Sequence, residues 1–163
     1  MSLEKAVPLL SLKHKIADES YYVKKHLEES GISREILKDR SILLAEDNDL
    51  NAEIAAVILE RAGLKVERVE DGLQCVNRIE QMPSGTYDLV LMDIQMPNMD
   101  GYKATRCIRR FEDKKKAEIP IIAMTANAFE EDKRAAIAVG MNGHIAKPIQ
   151  VDKLLSILAE IIR

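Results

Sequence analysis

Cysteine is scarce in this 163-residue chain, and Cys75 and Cys107 stand far apart with no CxxC partner and no cluster of histidines beside either. That spacing excludes a disulfide framework and a thiolate zinc site, leaving two reduced thiols in a cytosolic setting. Long apolar runs are also missing. None approaches the ~20 residues that a membrane-crossing helix requires, and the N-terminus lacks the basic-then-apolar layout of a secretory signal. The expectation is a soluble, cytoplasmic chain. Nor is there an excess of charge of one sign: 24 Lys and Arg against 27 Asp and Glu give a net charge of −3, well mixed along the chain. Such a balance offers no footprint for nucleic acid or an anionic membrane. What the chain does have is apolar content, 47% of its residues, enough for the core of one domain with an extension.

From residue 41 onward, short β-rich apolar runs alternate with stretches of helical period, the pattern of repeated βα units around a parallel sheet. Five strands are expected: Ser41 to Ala45, Lys65 to Val69, Tyr87 to Met92, Ile119 to Met124 and Gly143 to Ala146. The helix after the first carries Ile54, Val57 and Ile58 and stops at Gly63, a residue suited to a left-handed C-cap. Later helices are expected near Gly72 to Gln81, Gly101 to Arg110, Phe129 to Val139 with Gly140 as stop, and Val151 to Ile162. Right-handed crossovers make this one doubly wound α/β domain over 41–163, with every strand's carboxyl end on one edge. Residues 1–40 stand outside the alternation. Leu12, Ile16, Val23 and Leu27 suggest an amphipathic helix ending near Gly31, and Ser33 an N-cap for one further turn, so this segment reads as a helical linker or extension, with a dimerising helix as the other reading.

Polar residues sit at four of the strand ends: Glu46-Asp47 after the first, Asp93 at the third, Thr125 at the fourth and Lys147-Pro148 after the fifth. Asp47 or Asp49 could merely cap the following helix. The set as a whole asks for more. Three carboxylates brought to one edge repel, and near neutral pH some must hold protons unless a cation sits among them. Oxygen ligands without Cys or clustered His favour Mg²⁺ (or Mn²⁺). Lys147 can bind an oxygen of an incoming phosphoryl group as a point charge, and Thr125 offers a hydroxyl to another. Phosphoryl transfer needs an in-line nucleophile and stabilised equatorial oxygens, and Asp93 is the expected nucleophile. A plain Lys147–Asp93 salt bridge and a β-branched strand residue at 125 are the structural alternatives, and neither accounts for all four positions.

The segments Ile42-Leu43-Leu44-Ala45-Glu46-Asp47-Asn48, Leu91 to Gly101, Pro120 to Ala126 and Gly143 to Ile149 together resemble the receiver domain of two-component response regulators, most closely receivers fused to hybrid sensor histidine kinases. The resemblance covers about residues 40–163. It implies a flavodoxin-like five-stranded sheet of order 2-1-3-4-5. It implies Asp93 as phosphoacceptor, with Asp47, Asp93 and the backbone carbonyl of Gln95 binding Mg²⁺ and Glu46 holding a metal-bound water. Thr125 and Lys147 then coordinate the phosphoryl group, while Gln95 and Asn127 tune its lifetime. His144 departs from the family's usual Tyr or Phe at the ring that moves with Thr125, and an imidazole there introduces a charge change near pH 6.5.

The expected reaction takes a phosphoryl group from a phosphohistidine on a histidine kinase or His-containing phosphotransfer protein, making the domain a switch or relay rather than a turnover enzyme. The surface over 129–139, 143–146 and 151–162 is expected to change its partner affinity. His14 and His26 are expected to be ordinary surface residues, since no kinase dimerisation motif surrounds them. An aspartyl-phosphate phosphatase or phosphotransferase for a small molecule is the alternative from another class, but Gln95 stands where such enzymes commonly place a second Asp. A pseudo-receiver that is never phosphorylated is a further alternative, opposed by the filled set of acidic and basic positions. A homodimer is compatible with the sequence.

Overall fold

Five short runs become five parallel strands. The computed structural model describes residues 21–126 and 129–162. Its elements run α1 (residues 21–30), α2 (Arg34–Leu37), β1 (Ser41–Ala45), α3 (Asp49–Arg61), β2 (Lys65–Val69), α4 (Gly72–Gln81), β3 (Leu89–Asp93), α5 (Gly101–Arg109), α6 (Lys114–Ala117), β4 (Ile121–Thr125), α7 (Glu130–Val139), β5 (Gly143–Ala146) and α8 (Val151–Ile162). The strands lie in the order β2-β1-β3-β4-β5, the order the resemblance implies. Every neighbouring pair is parallel.

β3 and β4 are buried along their whole length and β1 in all but Ser41, as interior strands of a sheet covered on both faces must be. Alternate side chains divide between two cores. Ile42, Leu44, Leu89, Leu91, Ile122 and Met124 pack beneath α3 and α8, whereas Leu43, Ala45, Val90, Met92, Ile121 and Ala123 meet α4, α5 and α7 on the other face. Cys75 belongs to the second core, its thiol pushed up to about 12 by burial and by the neighbouring charge of Asp71, and both cysteines are free.

Helix starts follow local chemistry. Asn48, Asp71 and Asp100 each accept a backbone N–H three residues on, at 2.8 to 2.9 Å, which satisfies an otherwise orphaned donor. α7 ends on Gly140 in the left-handed region, φ 103°, where glycine carries no Cβ penalty.

Two strands start later than their apolar runs. The expected start of β3 at Tyr87 moves to Leu89 because Asp88 is used differently: its side chain accepts from Ser41 N at 2.8 Å. β4 starts at Ile121, just after Pro120, which has no N–H to give a ladder. The single turn of α6 was not anticipated; Asp113 caps it.

The described part of residues 1–40 lies on the α3–α8 face. Val23, Leu27 and Leu37 are buried in the same core as Ile58, Leu155 and Leu158, and α2 is capped by Ser33 as expected. Backbone bonds Asp39 N to Gly63 O (2.9 Å) and Lys65 N to Arg40 O (2.8 Å) fasten its end to the loop before β2. Leu12, Ile16 and His14 fall outside the described residues.

Candidate functional site

The chain leaves β1 at Ala45 and turns into α3 within three residues, and the capping question is settled by geometry: Asn48 is the N-cap, its side chain accepting from Asn51 N at 2.9 Å. Asp47 is released from that duty and stands exposed. Glu46 points the other way and is buried. Its carbonyl accepts from both Nε and Nη2 of Arg68, at 3.0 and 2.9 Å, and its N–H donates to Val69 O at 3.1 Å. With its backbone gripped, the Glu46 carboxylate meets Lys147 Nζ at 2.8 Å and Asn51 Nδ2 at 3.4 Å.

Asp93, the last residue of β3, is 6% exposed, and its Oδ2 lies 3.1 Å from the same Lys147 ammonium. Burial, and then the neighbouring charge of Glu46, push the Asp93 carboxyl up to about 6, although Lys147 opposes the shift. For Lys147, burial works against the charged form, but hydrogen bonding to Glu46 and the charge of Asp93 outweigh it and raise its pKa. One ammonium thus serves two buried carboxylates. Glu46, Asp47 and Asp93 each offer an oxygen within 4.8 Å of the others, an all-oxygen set suited to a hard divalent cation.

Thr125 ends β4 with 4% exposure, and its Oγ1 has no hydrogen-bond partner among the described residues. A buried hydroxyl without a partner costs roughly 1–3 kcal/mol, a cost that an acceptor entering beside it would remove. It lines a cleft of about 270 Å³ together with Glu46, Asp47, Asp93, Gln95 and Lys147. The loop after Asp93 closes through Gly101 N to Ile94 O at 2.8 Å. A Cβ on Gly101 would stand 2.3 Å from the Asp93 carbonyl oxygen, so only glycine lets α5 start so close to the end of β3.

The structure therefore gathers six of the sequence-predicted residues at one edge. His144 is separate from them: it sits half-buried on β5 opposite Ala123. Its pKa is lowered by burial and by Lys133, with Glu130 opposing. Asn127 lies outside the described residues. Sequence reasoning missed Asn51, Tyr102 and Asp132, which also line the cleft. Asn51 looks like an interior helix residue, and Asp132 like ordinary acidic seasoning of a helix N-terminus. Neither carries a signal of its own.

Comparison with known proteins agrees with the geometry. The peroxide stress-activated histidine kinase mak1 of Schizosaccharomyces pombe is 40% identical over a segment covering 75% of this chain and 8% of that protein. Sensor protein GacS of Pseudomonas syringae pv. syringae is 38% identical, over 72% of this chain and 13% of its own length. The chain spans only a small part of these relatives. Among solved structures, the receiver domain of sensor histidine kinase PA1611 from Pseudomonas aeruginosa PAO1, with magnesium coordinated in its active site cleft, superposes with a TM-score of 0.68 at 40% identity, covering 76% of this chain and 98% of that one. The receiver domain of Ssk1, in complex with the histidine phosphotransfer protein Ypd1 of Saccharomyces cerevisiae, gives 0.69 at 28% identity, over 76% of this chain and 89% of that one. The model of the response regulator receiver domain matches residues 42–159, from within β1 to within α8, and the chain belongs to that family, the receivers of two-component phosphorelay systems.

Proposed function

We propose that this receiver takes a phosphoryl group from a phosphohistidine onto Asp93, in the cytoplasm and with Mg²⁺ (or Mn²⁺) bound, and acts as a switch or relay. The observation that carries the reading is the gathering of Asp93, the Lys147 ammonium and the Thr125 hydroxyl, which has no partner among the described residues, in one cleft. Asp47, Asp93 and the Gln95 carbonyl would hold the ion, with Glu46 acting through water. When bound, the ion offsets the carboxylate charge and that of the phosphoryl oxygens.

A carboxylate oxygen of Asp93 forms the new O–P bond in line with the departing imidazole nitrogen. The N–P bond breaks, its electron pair stays on the imidazole, and the donor histidine is left neutral or protonated by solvent. Lys147 already faces the acceptor, so its ammonium can follow charge onto the phosphoryl oxygens. Thr125 Oγ1 donates to another oxygen and acquires the partner it lacks. That movement would shift the α7–β5–α8 surface, which includes His144, between two partner affinities. The donor is a histidine kinase or a His-containing phosphotransfer protein, and residues 1–40 form a helical extension to the receiver domain over 41–163.

The test is Asp93→Asn. Incubated with acetyl phosphate and Mg²⁺, the natural chain is expected to gain one hydroxylamine-sensitive phosphoryl group by intact mass, and the variant none. The same Mg²⁺-dependent gain in the variant would show that Asp93 is not the acceptor.

A further inference from the structure

Residues 94–100, between β3 and α5, include Gln95 yet belong to neither strand nor helix. At its base this loop is closed by the Gly101 N to Ile94 O bond. Its far end is held by a different part of the chain. Asn98 adopts a left-handed backbone, φ 64°, and its Nδ2 donates to Asp71 Oδ2 at 2.7 Å. Asp71 is 5% exposed, and its other oxygen, Oδ1, accepts from Gln74 N at 2.8 Å as the cap of α4. Next to it, Gly72 N donates to Met99 O at 3.0 Å, and a Cβ on Gly72 would stand 2.3 Å from that oxygen. The start of α4 is thus pressed against the loop with no room for a side chain between them.

Capping a helix needs one oxygen, and Ser supplies it as well as Asp does. The second oxygen of Asp71 is spent on Asn98. We propose that Asp71 is a positioning residue for the site: through Asn98 it fixes the loop that presents the Gln95 carbonyl, and so sets the affinity for the divalent ion. This rests on the Mg²⁺-dependent reading above. Partners that orient a ligand without touching the metal commonly govern affinity in this way.

Substitutions separate the tether from the cap and from the charge. Asp71→Asn removes the charge but keeps both contacts, because the Asn98 amide can turn over and accept from the new amide. Asp71→Ser removes the same charge and keeps only the cap. Titrated calorimetrically with MgCl₂, D71S is expected to bind roughly tenfold more weakly than D71N, which stays within about twofold of the natural chain. In the metal-free proteins, amides of 94–101 are expected to exchange faster in D71S than in D71N. Equal Mg²⁺ affinities for D71S and D71N would overturn the proposal. Should D71S not fold, N98D on the exposed side of the pair sets two carboxylates against each other, and adding D71N reverses the polarity of the bond. N98D is expected to weaken Mg²⁺ binding despite its added negative charge, and N98D/D71N to restore it; no loss in N98D, or no restoration, overturns the tether. If the natural chain itself binds no Mg²⁺, the functional reading falls; if it binds and the variants match it, only the role of Asp71 does.

Discussion

Lys147 and Asp93 meet at 3.1 Å across the carboxyl edge of the sheet, and the same Nζ reaches Glu46 at 2.8 Å. Both carboxylates are nearly inaccessible to water, so the ammonium is the main counter-charge that the described protein offers them. Removing one partner from a buried ion pair leaves an uncompensated charge and costs about 3–5 kcal/mol. Lys147→Met is therefore expected to destabilise the metal-free protein at neutral pH by about 3 kcal/mol, toward the lower end because Asp93 can take up a proton. Mg²⁺ should return part of that loss by supplying positive charge to the same carboxylates. Urea unfolding with and without MgCl₂ reads both effects, and a variant as stable as the natural chain without metal would contradict the shared-ammonium account.

Thr125 separates resting stability from function. Its hydroxyl is buried and has no hydrogen-bond partner among the described residues, so Thr125→Val exchanges an unsatisfied polar atom for a methyl group. The expected change in unfolding free energy is within about 1 kcal/mol, and stabilising if anything. If the hydroxyl binds the phosphoryl group, the same variant should accept phosphate from acetyl phosphate roughly tenfold more slowly or worse. Parallel denaturant curves and phosphorylation time courses check this. A large loss of stability would mean that the hydroxyl has a partner in the resting protein after all.

His144 brings a pH dependence that an aromatic hydrocarbon ring would not. Burial, then the Lys133 ammonium, lower its pKa, while Glu130 on the same helix, α7, pulls the other way. With the folded pKa below the unfolded one, the unfolded chain takes up the proton first as pH falls. The stabilisation from a neutral His144 is thus present above about pH 6.5 and lost as pH drops through the lower folded pKa. The melting temperature of the natural chain should decline relative to His144→Phe between about pH 7.5 and about pH 5. Parallel melting curves over that range would exclude a titrating imidazole.

Much of this was readable in advance, for a physical reason. In a parallel sheet covered on both faces, an apolar run marks a strand and the first polar residue after it must lie at the carboxyl edge. The sequence alone therefore brings Asp93, Thr125 and Lys147 to one edge. β1, β2, β5, α4 and α8 fall where their residues put them because polar or turn residues bound each run. What was not legible depends on contacts remote in sequence. Asn48, Asp47 and Asp49 are equivalent as caps on paper, and only the path of the backbone chooses Asn48. Lys114–Ala117 shows no apolar period; that turn is secured by the Asp113 cap and by Lys116 Nζ donating to Glu80 O at 2.7 Å. The bond from Asn98 to Asp71 likewise joins loops on two different βα units.

The N-terminal extension gives a last test of where the domain begins. The stripe of Val23 and Leu27 is visible in the sequence, but its seat is not. In the structure both are buried with Leu37 in the core shared by α3 and α8, whereas Tyr21 and Tyr22 on the same helix remain exposed. A passive tether would be removable without cost. A segment that completes the core would not, because deleting it uncovers apolar side chains of α3 and α8. Leu37→Ala is expected to cost about 3 kcal/mol, while Tyr22→Ser should stay within about 0.5 kcal/mol. The chain begun at residue 41 should melt lower than the full chain and bind a hydrophobic dye. Equal melting temperatures for the two lengths, with Leu37→Ala neutral, would mean that the helices only rest on the receiver; losses in both would mean that the extension completes the receiver's core.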